Sequence, residues 1–171
     1  ELKTIEIIEA FDEISRYWIS KKCGIKNLIR DLEIGFIIPW TKKSNLKRLI
    51  NLNFNNPKYL DEPLYDNKFN SIIYGRPLGL AVHWVAGNIP LLAVISLFQS
   101  LLTKNKSIVK VPSNLKEVLP QILIDLKKTN FFKRKNKKII NDLLESTLVI
   151  HIEKNDTKSQ TQLSKSADIR I

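Results

Sequence analysis

Apolar residues in the first third of the chain recur every three or four positions, beginning with Ile7, Phe11, Ile14 and Trp18. This spacing places them on one face of a helix predicted from Glu1 to about Lys21, which Gly24 ends. A shorter helix is predicted over residues 25–32. A third follows, with Thr41 or Ser44 as its cap.

Residues 1–59 are therefore predicted as a helical N-terminal region. The sequence from Phe54 to Asn70 is polar and turn-rich, and it contains Pro57, Pro63 and several Asn residues. Such composition is typical of a loop, and it predicts a connecting arm over residues 60–76.

From residue 77 the pattern changes to strands that alternate with helices. Residues 79–85 form a near-continuous apolar run, the composition of a strand buried on both faces of a parallel sheet. Further strands are predicted over 107–111, over 147–152 and from Ala167. This alternation is typical of an α/β fold with right-handed crossovers. We therefore predict a parallel, Rossmann-like sheet, the first part of a nucleotide-binding domain, in residues 77–171.

Proline positions indicate where the intervening helices begin. Pro90 falls in the first turn of a helix predicted from Ile89 to about Leu102, where its missing N–H costs nothing. Pro120 predicts that the main part of the next helix begins near Leu119. Two more helices are predicted over residues 137–145 and 157–166.

Parallel sheets bind ligands outside the carboxyl ends of their strands, which indicates residues 84–88, 110–114 and 151–155. Neither the G-x-G-x-x-G fingerprint nor a P-loop is present, so an ordinary glycine loop is not supported. Asn88 follows the first strand, and its amide can either cap the next helix or stabilise an oxyanion. Metal-ligand spacings are also missing, and no metal site is predicted.

Two residues near the second strand leave alternatives open. Lys110 can reach a ribose hydroxyl or phosphate at the sheet edge, or extend its ammonium into solvent there. Ser113 can cap the following helix or donate to a phosphate. His83 is predicted as a hydrogen-bonded core histidine, and His151 is ambiguous.

Charge and cysteine usage restrict the partners and the compartment. The net charge of +11 is carried mainly by lysine, and its densest run, residues 133–138, has no aromatic residue within it. We therefore expect a solvated basic loop or helix start, and no nucleic-acid partner. The single cysteine, Cys23, fits a reducing compartment and is predicted to be chemically passive. With no signal peptide and no apolar stretch of bilayer length, a cytoplasmic location without a membrane span is expected.

Residues 77–90, Pro-Leu-Gly-Leu-Ala-Val-His-Trp-Val-Ala-Gly-Asn-Ile-Pro, resemble a family signature. The family comprises the acyl-CoA reductases related to the long-chain fatty acyl reductase of bacterial bioluminescence, in the aldehyde dehydrogenase superfamily. Segments with the same order and spacing as in that family are Leu60-Asp61, 102–105, 108–113 and 167–169.

The resemblance implies an NADPH-dependent reduction of an acyl thioester, such as acyl-CoA, to an aldehyde through an acyl-cysteine. It implies that Asn88 helps to hold the oxyanion, and that Lys110 and Ser113 contact the adenosine ribose or its phosphate. NADH is not excluded as the cofactor. The residues implied to line the cofactor cleft are Trp84, Val85, Ala86 and Gly87.

The sequence departs from the common superfamily pattern by having Lys-Val-Pro-Ser-Asn where Lys-Pro-Ser-Glu is usual. In the family the nucleophilic cysteine lies downstream of the position of Ile171. We therefore expect an incomplete domain from an N-terminal fragment that is inactive alone, and an intact protein that can be a homo-oligomer. The alternatives are an aldehyde-oxidising dehydrogenase of the same superfamily and a non-catalytic nucleotide-binding module.

Overall fold

The N-terminal region is helical, as its sequence predicts, in the computed structural model, which describes residues 2–54 and 56–171. A 3-10 turn over Ile34–Phe36 leads into the third of its helices. The four helices are α1 (Thr4–Ile19), α2 (Lys26–Asp31), α3 (Ile37–Trp40) and α4 (Lys43–Asn53).

The predicted connecting arm contains a β-hairpin that the sequence did not reveal. Strands β1 (Leu64–Asp66) and β2 (Ser71–Ile73) pair antiparallel. Both strands have only three residues, too few for an alternating pattern to show. The hairpin is tied to the preceding turn because the Tyr59 hydroxyl donates a hydrogen bond to the buried carboxylate of Asp66.

The predicted parallel sheet is confirmed. It consists of β3 (Leu80–Trp84), β4 (Lys106–Val111), β5 (Thr147–His151) and β6 (Ile169–Arg170), in the spatial order β5-β4-β3-β6. The chain moves outward from β3 to β5 and then returns to pair β6 with the free side of β3. The strand order therefore reverses at β3.

Four helices connect these strands: α5 (Pro90–Leu102), α6 (Val118–Lys128), α7 (Arg134–Glu145) and α8 (Thr157–Ser166). Pro90 is the first residue of α5, as expected. The buried core runs continuously from α1 through α5 to α7. The rings of Phe11 and Phe98 lie 4.6 Å apart where α1 crosses α5. The N-terminal helices therefore pack directly on the sheet's own helices.

Carboxylates of α1 cap two helices that lie far away in sequence. Asp12 accepts a 2.8 Å hydrogen bond from the backbone N–H of Lys43 at the start of α4, so neither Thr41 nor Ser44 acts as the predicted cap. Glu13 is only 4% exposed and accepts from Asn136 Nδ2, at 2.7 Å, and from the backbone at the start of α7. Both carboxylates satisfy N–H groups at the positive end of a helix.

A third carboxylate, Asp61, caps α1 itself. It accepts from the backbone N–H of Thr4 at 2.8 Å, from the Thr4 hydroxyl at 2.7 Å and from Lys104 Nζ at 2.6 Å. Burial alone would raise the pKa of Asp61, but these hydrogen bonds outweigh burial and hold it below its ordinary value. Lys104 follows α5, so this carboxylate joins the start of α1 to the end of α5.

The basic run at residues 133–138 begins a helix, in line with one of the two expectations for it. Lys135 pairs with Glu6 at 2.8 Å. Lys137 Nζ donates to the last carbonyls of α6, with Lys127 O at 2.5 Å and Thr129 O at 2.7 Å. Part of the run therefore has structural partners inside the protein.

The helices of the described residues are too short or too polar for any of them to cross a membrane.

We expect Asp61→Asn to lower the free energy of unfolding by about 2 to 3 kcal/mol at pH 7, because Lys104 would lose its anionic partner in a largely buried site and keep only its hydrogen bond to Leu60 O. Urea denaturation of both proteins measures this difference. Since the folded pKa of Asp61 is depressed, the wild-type advantage holds above pH about 4 and fades as the pH falls through the folded pKa.

Glu9→Gln is the matched control, since Glu9 forms a half-exposed pair with Lys43 and its loss should cost less than about 1 kcal/mol. Equal effects of the two substitutions, or an Asp61→Asn effect that persists unchanged at pH 3, would contradict this assignment.

Candidate functional site

The carboxyl end of β3 lies at the point of the sheet where the strand order reverses. Its last residue, Trp84, donates its backbone N–H to Ile171 O at 2.8 Å. On the other side, Val85 donates its N–H to Lys110 O at 3.2 Å. Ligands of doubly wound sheets bind outside such a reversal, and the turn at residues 85–89 leads directly from it into α5.

Asn88 lies in this turn with its side chain exposed. The structure places Ile89 at the N-cap of α5 and shows no side-chain cap there, so the interpretation of Asn88 as a helix cap is wrong. Within the described residues its amide has no hydrogen-bond partner. It is therefore a free donor immediately before the N-terminus of a thirteen-residue helix, where negative charge is favoured.

Lys110 reaches the same edge from the neighbouring strand. It is the register partner of Trp84, and its Nζ lies 5.8 Å from the centre of the indole ring. In the described part of the chain no carboxylate lies within ion-pair distance of it. The half-buried ammonium is thus held against an aromatic face and retains its capacity to bind an anion or a hydroxyl group.

Gly87 and Asn114 join the turns that follow β3 and β4. Asn114 Nδ2 donates to Gly87 O at 2.7 Å. A Cβ atom on Gly87 would lie 2.8 Å from Asn114 Oδ1 and 3.3 Å from Pro112 Cγ, so only glycine fits without a shift. The sequence alone did not single out Asn114 as a residue of this edge. The signal that could have done so is the Asn found where the aldehyde dehydrogenase pattern described above usually has Glu.

Ser113 opens a short 3-10 turn, Ser113–Leu115, and is exposed. The N-cap positions here are Pro112 for that turn and Glu117 for α6, and neither shows a side-chain cap. The prediction that Ser113 caps a helix is therefore wrong. Its hydroxyl lies one residue before the Asn114 clamp.

The structure does not bring the remaining candidates to this edge as free groups. His83 is confirmed as a core histidine, with Nδ1 2.6 Å from Ser96 Oγ, and burial lowers its pKa. His151 Nδ1 lies 3.0 Å from Val111 O, and its Nε2 lies 3.1 Å from Glu153. Cys23 is buried in the N-terminal helices, and burial raises the pKa of its thiol. Raised thiol pKa and burial are the opposite of what a nucleophilic cysteine needs.

Several groups at this edge could hold a dinucleotide. Lys110 offers a cation without an ion-pair partner in the described residues, and it lies over the aromatic face of Trp84. The N-terminus of α5 has no side-chain cap, and its backbone N–H groups favour a negatively charged ligand. These groups favour a ligand that carries phosphate and ribose.

Comparisons with known proteins identify the family of the chain. The family model of the acyl-CoA reductases (LuxC) matches residues 6–171, which confirms the resemblance of residues 77–90. A long-chain acyl-protein thioester reductase of Aliivibrio fischeri is 36% identical over 72 residues. The aligned stretch covers 42% of this chain and 15% of that protein.

We expect Gly87→Ala to destabilise the protein by at most about 1 kcal/mol, because the added methyl group would displace the exposed Asn114 amide and break its hydrogen bond. Asn114→Ala should cost about 1 kcal/mol through loss of its hydrogen bond. In the Asn114→Ala background the further cost of Gly87→Ala should fall by half or more. A double-mutant cycle measured by denaturation gives this coupling, and strictly additive effects would disprove the clamp.

Proposed function

The chain belongs to the acyl-CoA reductase (LuxC) family, and from this premise we propose that it is the N-terminal part of an NADPH-dependent reductase that converts a fatty acyl thioester into an aldehyde. The observation that carries the proposal is the pair of free groups at one sheet edge. Asn88 and Lys110 have no hydrogen-bond or ion-pair partner in the described residues beyond the Trp84 ring.

Polar groups without an intramolecular partner at the carboxyl edge of a parallel sheet are available to bind a ligand there. The surrounding polar groups of the fold are paired: Asn114 with Gly87, His83 with Ser96, and Asp61 with Lys104. The contrast supports a binding role for Asn88 and Lys110.

In the proposed complex Lys110 and Ser113 bind the adenosine ribose or its phosphate, and residues 84–87 line the cofactor cleft. The bound cofactor supplies a hydride. Asn88 donates its amide N–H to the thioester carbonyl oxygen as negative charge develops there, and the uncapped α5 N-terminus adds to the same field. The helix N-terminus is part of the fold before the reaction begins, so its N–H groups need not be ordered for this role.

The overall reaction needs a thiol that these 171 residues do not offer. In such a reaction a thiolate would displace the original thiol from the thioester carbon; a hydride added to the acyl carbon would then break the carbon–sulfur bond, releasing the aldehyde and returning the cysteine as a thiolate. Cys23 is the chain's one cysteine, and its burial in the N-terminal helices excludes it from the edge. The proposal therefore assigns the nucleophile to a segment outside these residues, and the 171 residues alone should be inactive.

The preference for NADPH is supported by charge. Residues 110–114 carry a lysine and no carboxylate, and a cation suits a ribose phosphate better than a carboxylate would. The acyl group is proposed to be long, since the matched relative from Aliivibrio fischeri acts on long-chain acyl-protein thioesters by its name.

We expect Asn88→Ala to lower kcat by about 100-fold to 1000-fold in the intact enzyme while the Kd for NADPH changes little, because the amide acts on developing charge. Steady-state kinetics and a nucleotide titration measure the two effects. Asn51→Ala, an exposed asparagine of α4, is the control and should leave both unchanged. An unaltered kcat in Asn88→Ala would refute the role.

Lys110→Gln should raise the Kd for NADPH by about 10-fold to 100-fold, the loss of a charge-assisted hydrogen bond. Lys106→Gln is the matched control, since Lys106 is exposed on the same face at the opposite end of β4. If both variants bind NADPH equally well, the cation at the carboxyl edge does not hold the cofactor.

A further inference from the structure

One histidine and three serines form a chain of hydrogen bonds between α5 and the sheet, behind the carboxyl edge. His83 Nδ1 lies 2.6 Å from Ser96 Oγ on α5, and His83 Nε2 lies 3.4 Å from Ser107 Oγ on β4. Ser107 Oγ donates in turn to Ser100 Oγ, also on α5, at 2.9 Å. His83 and Ser107 are each 1% exposed, so this polar chain lies inside a mainly apolar layer.

The hydrogen bond between His83 and Ser96 is the polar contact of this chain nearest to the start of α5. Ser96 is the first residue of α5 whose side chain can form a hydrogen bond, because residues 90–95 are all apolar. Apolar packing is non-directional, so it holds the helix against the sheet without fixing its position along its own axis. A hydrogen bond restricts both distance and angle. His83 and Ser96 therefore fix the N-terminal half of α5 relative to the last-but-one residue of β3.

We propose that His83 and Ser96 are positioning residues, which hold the N-terminus of α5 at the carboxyl edge where the cofactor and the thioester bind. This inference rests on the proposed function, because the position of that helix end affects the reaction only if a ligand binds beside it. The segment between the two residues contains the turn at residues 85–89 and the start of α5. Their hydrogen bond closes the segment into a loop, so the N–H groups at the positive end of α5 keep a defined place beside Trp84.

The chain of hydrogen bonds also determines which nitrogen of His83 carries the proton. Ser107 donates its hydroxyl proton to Ser100, so the Ser107 oxygen accepts from His83 Nε2–H. The other ring nitrogen, Nδ1, is then an acceptor and receives the hydroxyl proton of Ser96. Burial lowers the pKa of His83 and keeps the imidazole neutral, as this pattern requires. The tautomer can be measured without reference to catalysis.

The test compares variants of the intact enzyme by urea denaturation, steady-state kinetics and NADPH titration. Ser96→Ala should lower kcat about tenfold, because the start of α5 would no longer be held in one position. The Kd for NADPH should change about twofold or less, since Lys110 of β4 holds the cofactor in the proposed complex. Ser96→Thr keeps a hydroxyl and should restore most of kcat. Ile122→Val is the matched control: Ile122 is 1% exposed in α6, and its truncation should lower the urea midpoint comparably and leave kcat unchanged.

A double-mutant cycle on kcat shows whether the two residues act as one unit. His83→Phe keeps an aromatic ring and removes both ring nitrogens, and it should lower kcat about as much as Ser96→Ala does. In the His83→Phe background, Ser96→Ala should have little further effect, because the hydrogen bond is already lost. Nitrogen-15 NMR of the unsubstituted protein adds a measurement that needs no variant, and it should show a neutral His83 with its proton on Nε2.

The contradicting results are separate for the proposed function and for this inference. An unsubstituted enzyme that neither binds NADPH nor reduces acyl thioesters would overturn both. An active enzyme whose kcat is unaltered by Ser96→Ala, or is lowered equally by Ile122→Val, would overturn the positioning role alone. Strictly additive effects in the cycle, or a proton on His83 Nδ1, would show that the hydrogen-bond chain does not exist as described.

Discussion

The carboxylate of Asp61 is the contact on which the arrangement of the N-terminal helices depends. It caps α1 through Thr4 and pairs with Lys104 at the end of α5, so it fixes one helix of each part against the other. With α1 in place, Asp12 and Glu13 cap α4 and α7. Burying a carboxylate without a partner costs free energy. Each of these carboxylates instead accepts hydrogen bonds from backbone N–H groups or a cation, and it thereby connects two helices.

At the carboxyl edge of the sheet, some polar side chains have hydrogen-bond partners and others do not. Asn114 donates its amide N–H to Gly87 O and thereby connects the turns after β3 and β4. Asn88 and Lys110 lie on either side of that clamp and have no such partner in the described residues. The hydrogen bond between the turns holds the backbone of this edge in place, while Asn88 and Lys110 remain available to a ligand.

Sequence patterns predicted the strands and helices of residues 77–171 well, because buried parallel strands and amphipathic helices both leave strong periodic signals. The β-hairpin was not predicted, because strands of three residues are too short to show a periodic pattern. The caps predicted at Thr41 and Ser44 were wrong because Asp12, which is distant in sequence, accepts from the start of α4 instead. The caps predicted at Asn88 and Ser113 were wrong because the elements that follow them have no side-chain cap. The Gly87–Asn114 contact spans 27 residues and could not be read from spacing.

We propose that the carboxyl ends of β3 and β4 bind a nicotinamide nucleotide, and a crystal structure of the intact protein with NADPH tests this. We expect the nucleotide along residues 84–88, with Lys110 Nζ within hydrogen-bond distance of a ribose or phosphate oxygen. A nucleotide bound elsewhere, with Asn88 and Lys110 both remote from it, would show that this edge is not the cofactor site.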